Sequence, residues 1–164
     1  MGIMPILSVG AINKRAGVTL IEMMVVVLLI ALLAGISYPA VAAGVDSLRL
    51  RSASDAIVAF LNTALDRADR RQQAVEISIS PRDSVLIARS ADSGFTRRLD
   101  LPDTVHIAGV RPAAEIGPDQ PRRFLVYPGG SVPAIAIDIA NHSGRHRTVS
   151  IDPITGVPRA ESQP

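Results

Sequence analysis

The chain has 164 residues, room for one ordinary domain and an additional segment. Hydrophobic residues make up 48% of it but aromatic residues only 3%, with no Trp and no Cys. A disulfide framework, thiolate metal sites and a thiol nucleophile are therefore excluded. The formal charge of +2 comes from 17 basic against 15 acidic residues, and Lys14 and Arg15 account for the whole excess. The remainder, from residue 18 onward, is balanced and offers no general basic field for nucleic acid.

From Met23 to Gly44 there is no charged residue, and about 20 apolar residues in a helix are enough to cross the hydrocarbon core of a bilayer. A cleavable secretory signal is the alternative, with Ala40, Ala42 and Ala43 imitating its cleavage site, but such apolar regions are shorter, about 7 to 15 residues. Lys14 and Arg15 precede the span, whereas Asp46, Arg49 and Arg51 lie beyond it. Counting positive charges places the N-terminus in the cytoplasm and the remainder outside the membrane, as a single-pass protein. Glu22 stands at the head of the apolar run, where an unpaired carboxylate costs a few kcal/mol. Either it snorkels to the interface or something pairs with it.

The stretch Gly17-Val18-Thr19-Leu20-Ile21-Glu22 resembles the type IV prepilin processing motif followed by the pilin anchor helix. The resemblance implies that a prepilin peptidase cuts after Gly17 and that Val18, where phenylalanine or methionine is common, becomes the N-methylated N-terminus. It also implies that Glu22 pairs with the N-terminal amine of a neighbouring subunit and so registers assembly. An opposite charge within reach is what lets an acid remain ionised in lipid. Residues 1–17 are then the leader and residues 18–44 the transmembrane anchor. Pro39 lacks an N–H and clashes with the preceding turn, which predicts a kink in the anchor helix.

After Gly44 the pattern becomes amphipathic. Ile57, Phe60, Leu61, Ala64, Leu65 and Ala68 recur at three and four residues, with charges elsewhere on the helix surface. Ser54 or Asp55 would cap a separate helix, but the spacing favours continuation, so one long bent helix is predicted over residues 18–73, with 45–73 its amphipathic half. Arg67 to Arg71 read as a solvated helix end near the negative dipole.

Beyond Gln73 the period changes to two. Val75, Ile77 and Ile79 alternate with polar residues, Pro81-Arg82-Asp83 interrupts, and Val85-Leu86-Ile87 resumes, which predicts a hairpin. Further strands are expected at 96–101, 105–110, 123–127, 135–139 and 148–152, with a long loop over 111–122. A helix succeeded by strands is an α+β pattern: a long helix packed on an antiparallel β domain, here residues 74–164. His106, His142 and His146 are the only histidines, and the last two fall in a Gly- and Ser-containing loop rather than a helical ligand frame. With no phosphate loop, nucleophile elbow or calcium loop, neither catalysis nor a metal or other cofactor is expected. A plain signal-anchored binding protein would share the anchor and the β domain without needing Gly17 or Glu22.

Three segments carry a second resemblance, to the GspH/FimT family of minor pseudopilins and minor pilins: Arg70 to Ser80, Phe124 to Ser131, and Val149 to Gly156. The family implies two small antiparallel sheets beside the helix, with a strand ending in a Thr-Gly turn, here Thr155-Gly156, closing the sheet. On the secretion branch the chain is a minor pseudopilin near the tip of a type II secretion pseudopilus. Its partners are then the major pseudopilin, the other minor pseudopilins, the prepilin peptidase and the inner membrane, with the β domain in the periplasm. On the FimT-like branch it is a minor pilin of a type IV pilus, with DNA uptake as an additional role. The candidate DNA contacts are Arg145 and Arg147 in Gly144-Arg145-His146-Arg147, together with Arg159, although Val157 stands where the DNA-binding tail would want its first arginine.

Overall fold

The computed structural model describes residues 18–90, 94–113, 117, 119–130 and 132–162. The chain divides between Pro39 and Ala40 into two compact units. A 52-residue helix, α1 (Leu20–Arg71), supplies the described part of the first unit and opens the second. Thr19 caps its N-terminus: its hydroxyl accepts the Glu22 N–H at 3.2 Å, satisfying one of the donors left free in the first turn. At the other end Gln72 adopts a left-handed φ of 52° and the Gln73 N–H reaches back to the Ala68 carbonyl at 3.2 Å. This six-to-one bond is the signature of a Schellman stop. The Gln72 side chain also donates to the Asp69 carbonyl at 2.7 Å.

No break occurs at Ser54. That residue is fully buried inside the helix, and its hydroxyl donates to the Arg51 carbonyl at 2.7 Å, so it caps nothing. Burial along α1 begins at Leu50 and continues through Ala53, Ile57, Phe60, Leu61, Ala64 and Ala68. This is the stripe expected from the three-and-four spacing, with Leu65 packed at its margin.

Among the described residues eight strands come after the helix: β1 (Val75–Ser80), β2 (Val85–Ser90), β3 (Thr96–Asp100), β4 (Val105–Arg111), β5 (Arg122–Val126), β6 (Ala136–Asn141), β7 (His146–Ile151) and β8 (Pro158–Ser162). They form two four-stranded sheets, β3-β2-β1-β5 and β4-β6-β7-β8, in which every neighbouring pair is antiparallel. The alternation in β1 is strict: Val75, Ile77 and Ile79 are wholly buried and the residues between them are half-buried. Both sheets share one core with the buried stripe of α1, to which Ile137, Ile139, Val149 and Ile151 contribute from the second sheet.

Ser84 joins the two sheets. It sits at φ 52° in the β1–β2 turn, its carbonyl accepts the Leu101 N–H at 3.1 Å, and its hydroxyl accepts the Ile107 N–H at 3.3 Å. The architecture is the α+β arrangement expected, a long helix with antiparallel sheets packed on its second half.

Two expectations need correction. The strand ending near Thr155-Gly156 does not close its sheet. The chain turns there and returns as β8, which pairs with β7 from Ile151↔Pro158 to Arg147↔Ser162. Pro158 conceals this strand from sequence reading because proline is depleted in sheets, yet it is tolerated at the start of an edge strand, which is where it stands. The 111–122 segment is shorter as a loop than expected, since Arg111 ends β4 and Arg122 begins β5. The Arg122 guanidinium donates to the Pro112 carbonyl and ties the two ends of that loop together.

Candidate processing and assembly site

The expected processing and assembly residues fall at the head of α1. Gly17 lies outside the described residues. Val18 is 65% exposed, and Thr19 and Glu22 hold the first turn. The spacing Thr19-Leu20-Ile21-Glu22 is that of a capping box, and Glu22 is the acidic residue of the first turn, where the positive end of the helix dipole favours an anion. The helix itself therefore stabilises a carboxylate at this position. Sequence reasoning misses Thr19 as the helix cap, although its three-residue spacing from Glu22 is a readable signal.

Every large apolar side chain from Val18 to Val45 is at least 40% accessible, and Leu20 reaches 81%. The apolar surface lined by Leu20, Met23, Met24, Val27 and Leu28 belongs to one helix and encloses nothing. A contiguous apolar face of this length is unfavourable in water and requires lipid or other helices around it. α1 is long and apolar enough to cross a membrane. Pro39 lies inside α1, where it leaves the Gly35 carbonyl without its usual i+4 donor.

The structure separates the three candidate DNA-contact residues. Arg145 lies in the β6–β7 turn and is exposed, its N–H held by the Asn141 side-chain oxygen at 2.9 Å. Arg147 is half-buried on the core side of β7 opposite Ile139, and its Nε is buried with no hydrogen-bond partner among the described residues. Arg159 pairs with Ser150 on β8, so its side chain leaves the opposite face of the sheet from Arg147. The alternation of a strand thus divides what the sequence places together.

His106 and His142 stack edge to face with ring centroids 6.3 Å apart, and His142 Nδ1 lies 3.3 Å from the Thr104 carbonyl. Among the described residues no group of three or more His, Asp or Glu could hold a metal ion. On the outer face of the second sheet, Asp138 accepts from Arg111 at 3.0 Å and Thr148 at 2.6 Å. The bulge between Ile107 and Gly109 brings Gly109 against that carboxylate, where a Cβ would lie 3.7 Å from it. This network braces the sheet.

Residues 12–38 match the prokaryotic N-terminal methylation motif. The chain thus joins a prepilin-type N-terminal motif to a long helix and two antiparallel sheets. Among solved structures, the chain is similar to the minor pseudopilin EpsH from the Type 2 Secretion System of Vibrio cholerae. The TM-score is 0.55 at 12% identity, over 70% of this chain and 97% of that one. No curated protein sequence matches this chain.

Proposed function

We propose that this chain is a minor pseudopilin, a structural subunit near the tip of a type II secretion pseudopilus that aids its assembly and protein export. The observation that carries the reading is the combination of an N-terminal methylation motif with a two-sheet domain like that of EpsH, borne on one helix. In this reading a prepilin peptidase cuts after Gly17, Val18 becomes the methylated N-terminus, and the β domain stands in the periplasm while the uncharged run holds the inner membrane. The work is mechanical. Glu22, presented in the first turn by the Thr19 cap, meets the terminal amine of a neighbour, and that charge pair registers the subunit among the major and other minor pseudopilins.

Deleting the gene in frame should trap normally secreted hydrolase activity in the periplasm, with export restored by complementation. Unchanged export would reject the secretion role. In the same strain Gly17 replaced by a bulky residue should leave an uncut precursor that does not assemble. Glu22→Ala should be cut normally yet enter the filament poorly, and normal incorporation would remove the pairing role. A minor pilin with DNA uptake is the second reading. Exposed Arg145 favours it, whereas the opposed faces of Arg147 and Arg159 leave it no single basic surface.

A further inference from the structure

The β6–β7 hairpin points its tip at the place where the apolar run of α1 ends. Ser143 Oγ donates to the Asp46 carboxylate at 3.3 Å, and Asp46 is the first charged residue after Gly44, two positions on in the same helix. The tip is a built turn. Asn141 is buried and receives the Gly144 N–H on its carbonyl at 3.1 Å and the Arg145 N–H on its side chain at 2.9 Å. The Asn141 N–H returns a bond to the Arg145 carbonyl at 3.1 Å, with Gly144 at φ 76°. This geometry leaves His142, Arg145 and His146 exposed beside the helix. Arg49 and Arg51 are exposed on the helix itself within the next two turns.

Of the acids at this end of the sheet, Asp46 faces Ser143 and lies 3.9 Å from Arg49, and Asp103 sits in the neighbouring connection before β4. Arg51, Arg145 and Arg147 make no ion pair among the described residues. Asp55 is exposed one turn beyond Arg51, so the tip offers no net positive field. What it offers is two exposed guanidinium groups, Arg51 and Arg145, unpaired among the described residues and near the exit of an apolar span, where such groups match the negative headgroup layer of a bilayer.

We propose that the β6–β7 hairpin is a membrane-docking surface that binds anionic phospholipid headgroups on the side of the membrane that carries the β domain, with Arg145 as its central contact and Arg49 and Arg51 completing a collar around the helix. The proposal rests on the membrane-anchor reading of residues 18–44. It adds a second hold on the bilayer, made by the folded domain, for the subunit waiting to be assembled. Leaving the membrane for the filament then requires release of the headgroups as well as extraction of the helix.

The test uses the full chain in vesicles of phosphatidylcholine, with and without about one third phosphatidylglycerol. Because the protein has no cysteine, His142→Cys supplies a single site for a fluorophore and leaves every arginine in place. A second variant, Leu28→Cys, reports embedding of the span through quenching by nitroxides on the lipid chains. Headgroup nitroxides should quench the hairpin label more strongly when phosphatidylglycerol is present, and about 0.5 M salt should abolish the difference. Adding Arg145→Gln should weaken the headgroup-bound population about fivefold, the factor expected for one surface arginine, with circular dichroism unchanged.

Equal quenching in the two lipids with Leu28 still embedded would overturn the proposal while sparing the anchor. An unquenched Leu28 label would reject the anchor reading on which it rests. Hairpin quenching that survives Arg145→Gln with Arg49→Gln and Arg51→Gln would overturn it too. So would a hairpin label that ignores lipid charge but responds to short duplex DNA at the same salt.

Discussion

At the scale of single residues, the β7–β8 turn is the place where backbone geometry is most demanding. The Asp152 carboxylate accepts the Ile154 N–H at 2.8 Å and the Thr155 N–H at 3.2 Å, and Gly156 comes next at φ 69°. A Cβ at Gly156 would stand 3.2 Å from a Val132 methyl, whereas at Gly129, also at positive φ, it would meet open space. Gly129→Ala therefore carries only the left-handed backbone penalty, about 1–2 kcal/mol. Gly156→Ala carries that penalty and a steric one, so in chemical denaturation it should be the more destabilising of the two, and the reverse order would contradict the packing described.

The Asp152 carboxyl is held below the ordinary carboxylate range, first by the Ile154 N–H and then by the Thr155 N–H. A carboxyl depressed in the folded state stabilises above its unfolded value and loses that contribution as the pH falls through the folded one. The amide proton shifts of Ile154 and Thr155 should accordingly move on acidification below the ordinary carboxylate range. Shifts that stay fixed would mean that the carboxylate does not hold the turn.

At the scale of elements, the amphipathic half of α1 is the part on which both sheets depend. Phe60 is 1% exposed and belongs to the core shared by the two sheets. Phe60→Ala should cost about 3–5 kcal/mol, and Leu48→Ala, at a side chain 66% exposed, should fall within about 0.5 kcal/mol of the parent chain. Equal effects would place the core elsewhere.

This half of the helix was legible in the sequence because a stripe buried on one side imposes its period on the residues. The first hairpin was legible for the same reason, since Val75, Ile77 and Ile79 all face inward. β8 was not, because Pro158-Arg159-Ala160-Glu161-Ser162 lies at an edge after a long turn, opens on proline and carries no β-branched or aromatic residue. The opposite faces of Arg147 and Arg159 were not legible, because the face that a strand residue takes is unknown until the register is. Glu22 was legible as costly in lipid, and the Thr19 cap that presents it was signalled by the Thr-x-x-Glu spacing and is fixed by the backbone geometry.

At the scale of the whole molecule, the two units place opposite demands on their surroundings. From Val18 to Val45 no described residue is buried, and the first buried side chain is Leu50. The hydrogen bonds that fix the β6–β7 tip to the helix begin at Asp46, and those that seat the 127–130 turn reach Asp69, whose carboxylate accepts the Gly129 N–H at 3.2 Å. A chain beginning at Asp46 retains all of these contacts and the entire shared core. It should be soluble without detergent and unfold cooperatively in urea, with a stability of about 5 kcal/mol or more, as expected for a domain of this size. The full chain should sediment with membranes until detergent releases it. A truncated chain that aggregates or melts without cooperativity would mean that residues 18–45 cover part of the domain. A truncated chain that folds would leave the span free to exchange one apolar environment for another without disturbing the sheets, as the proposed insertion into a filament requires.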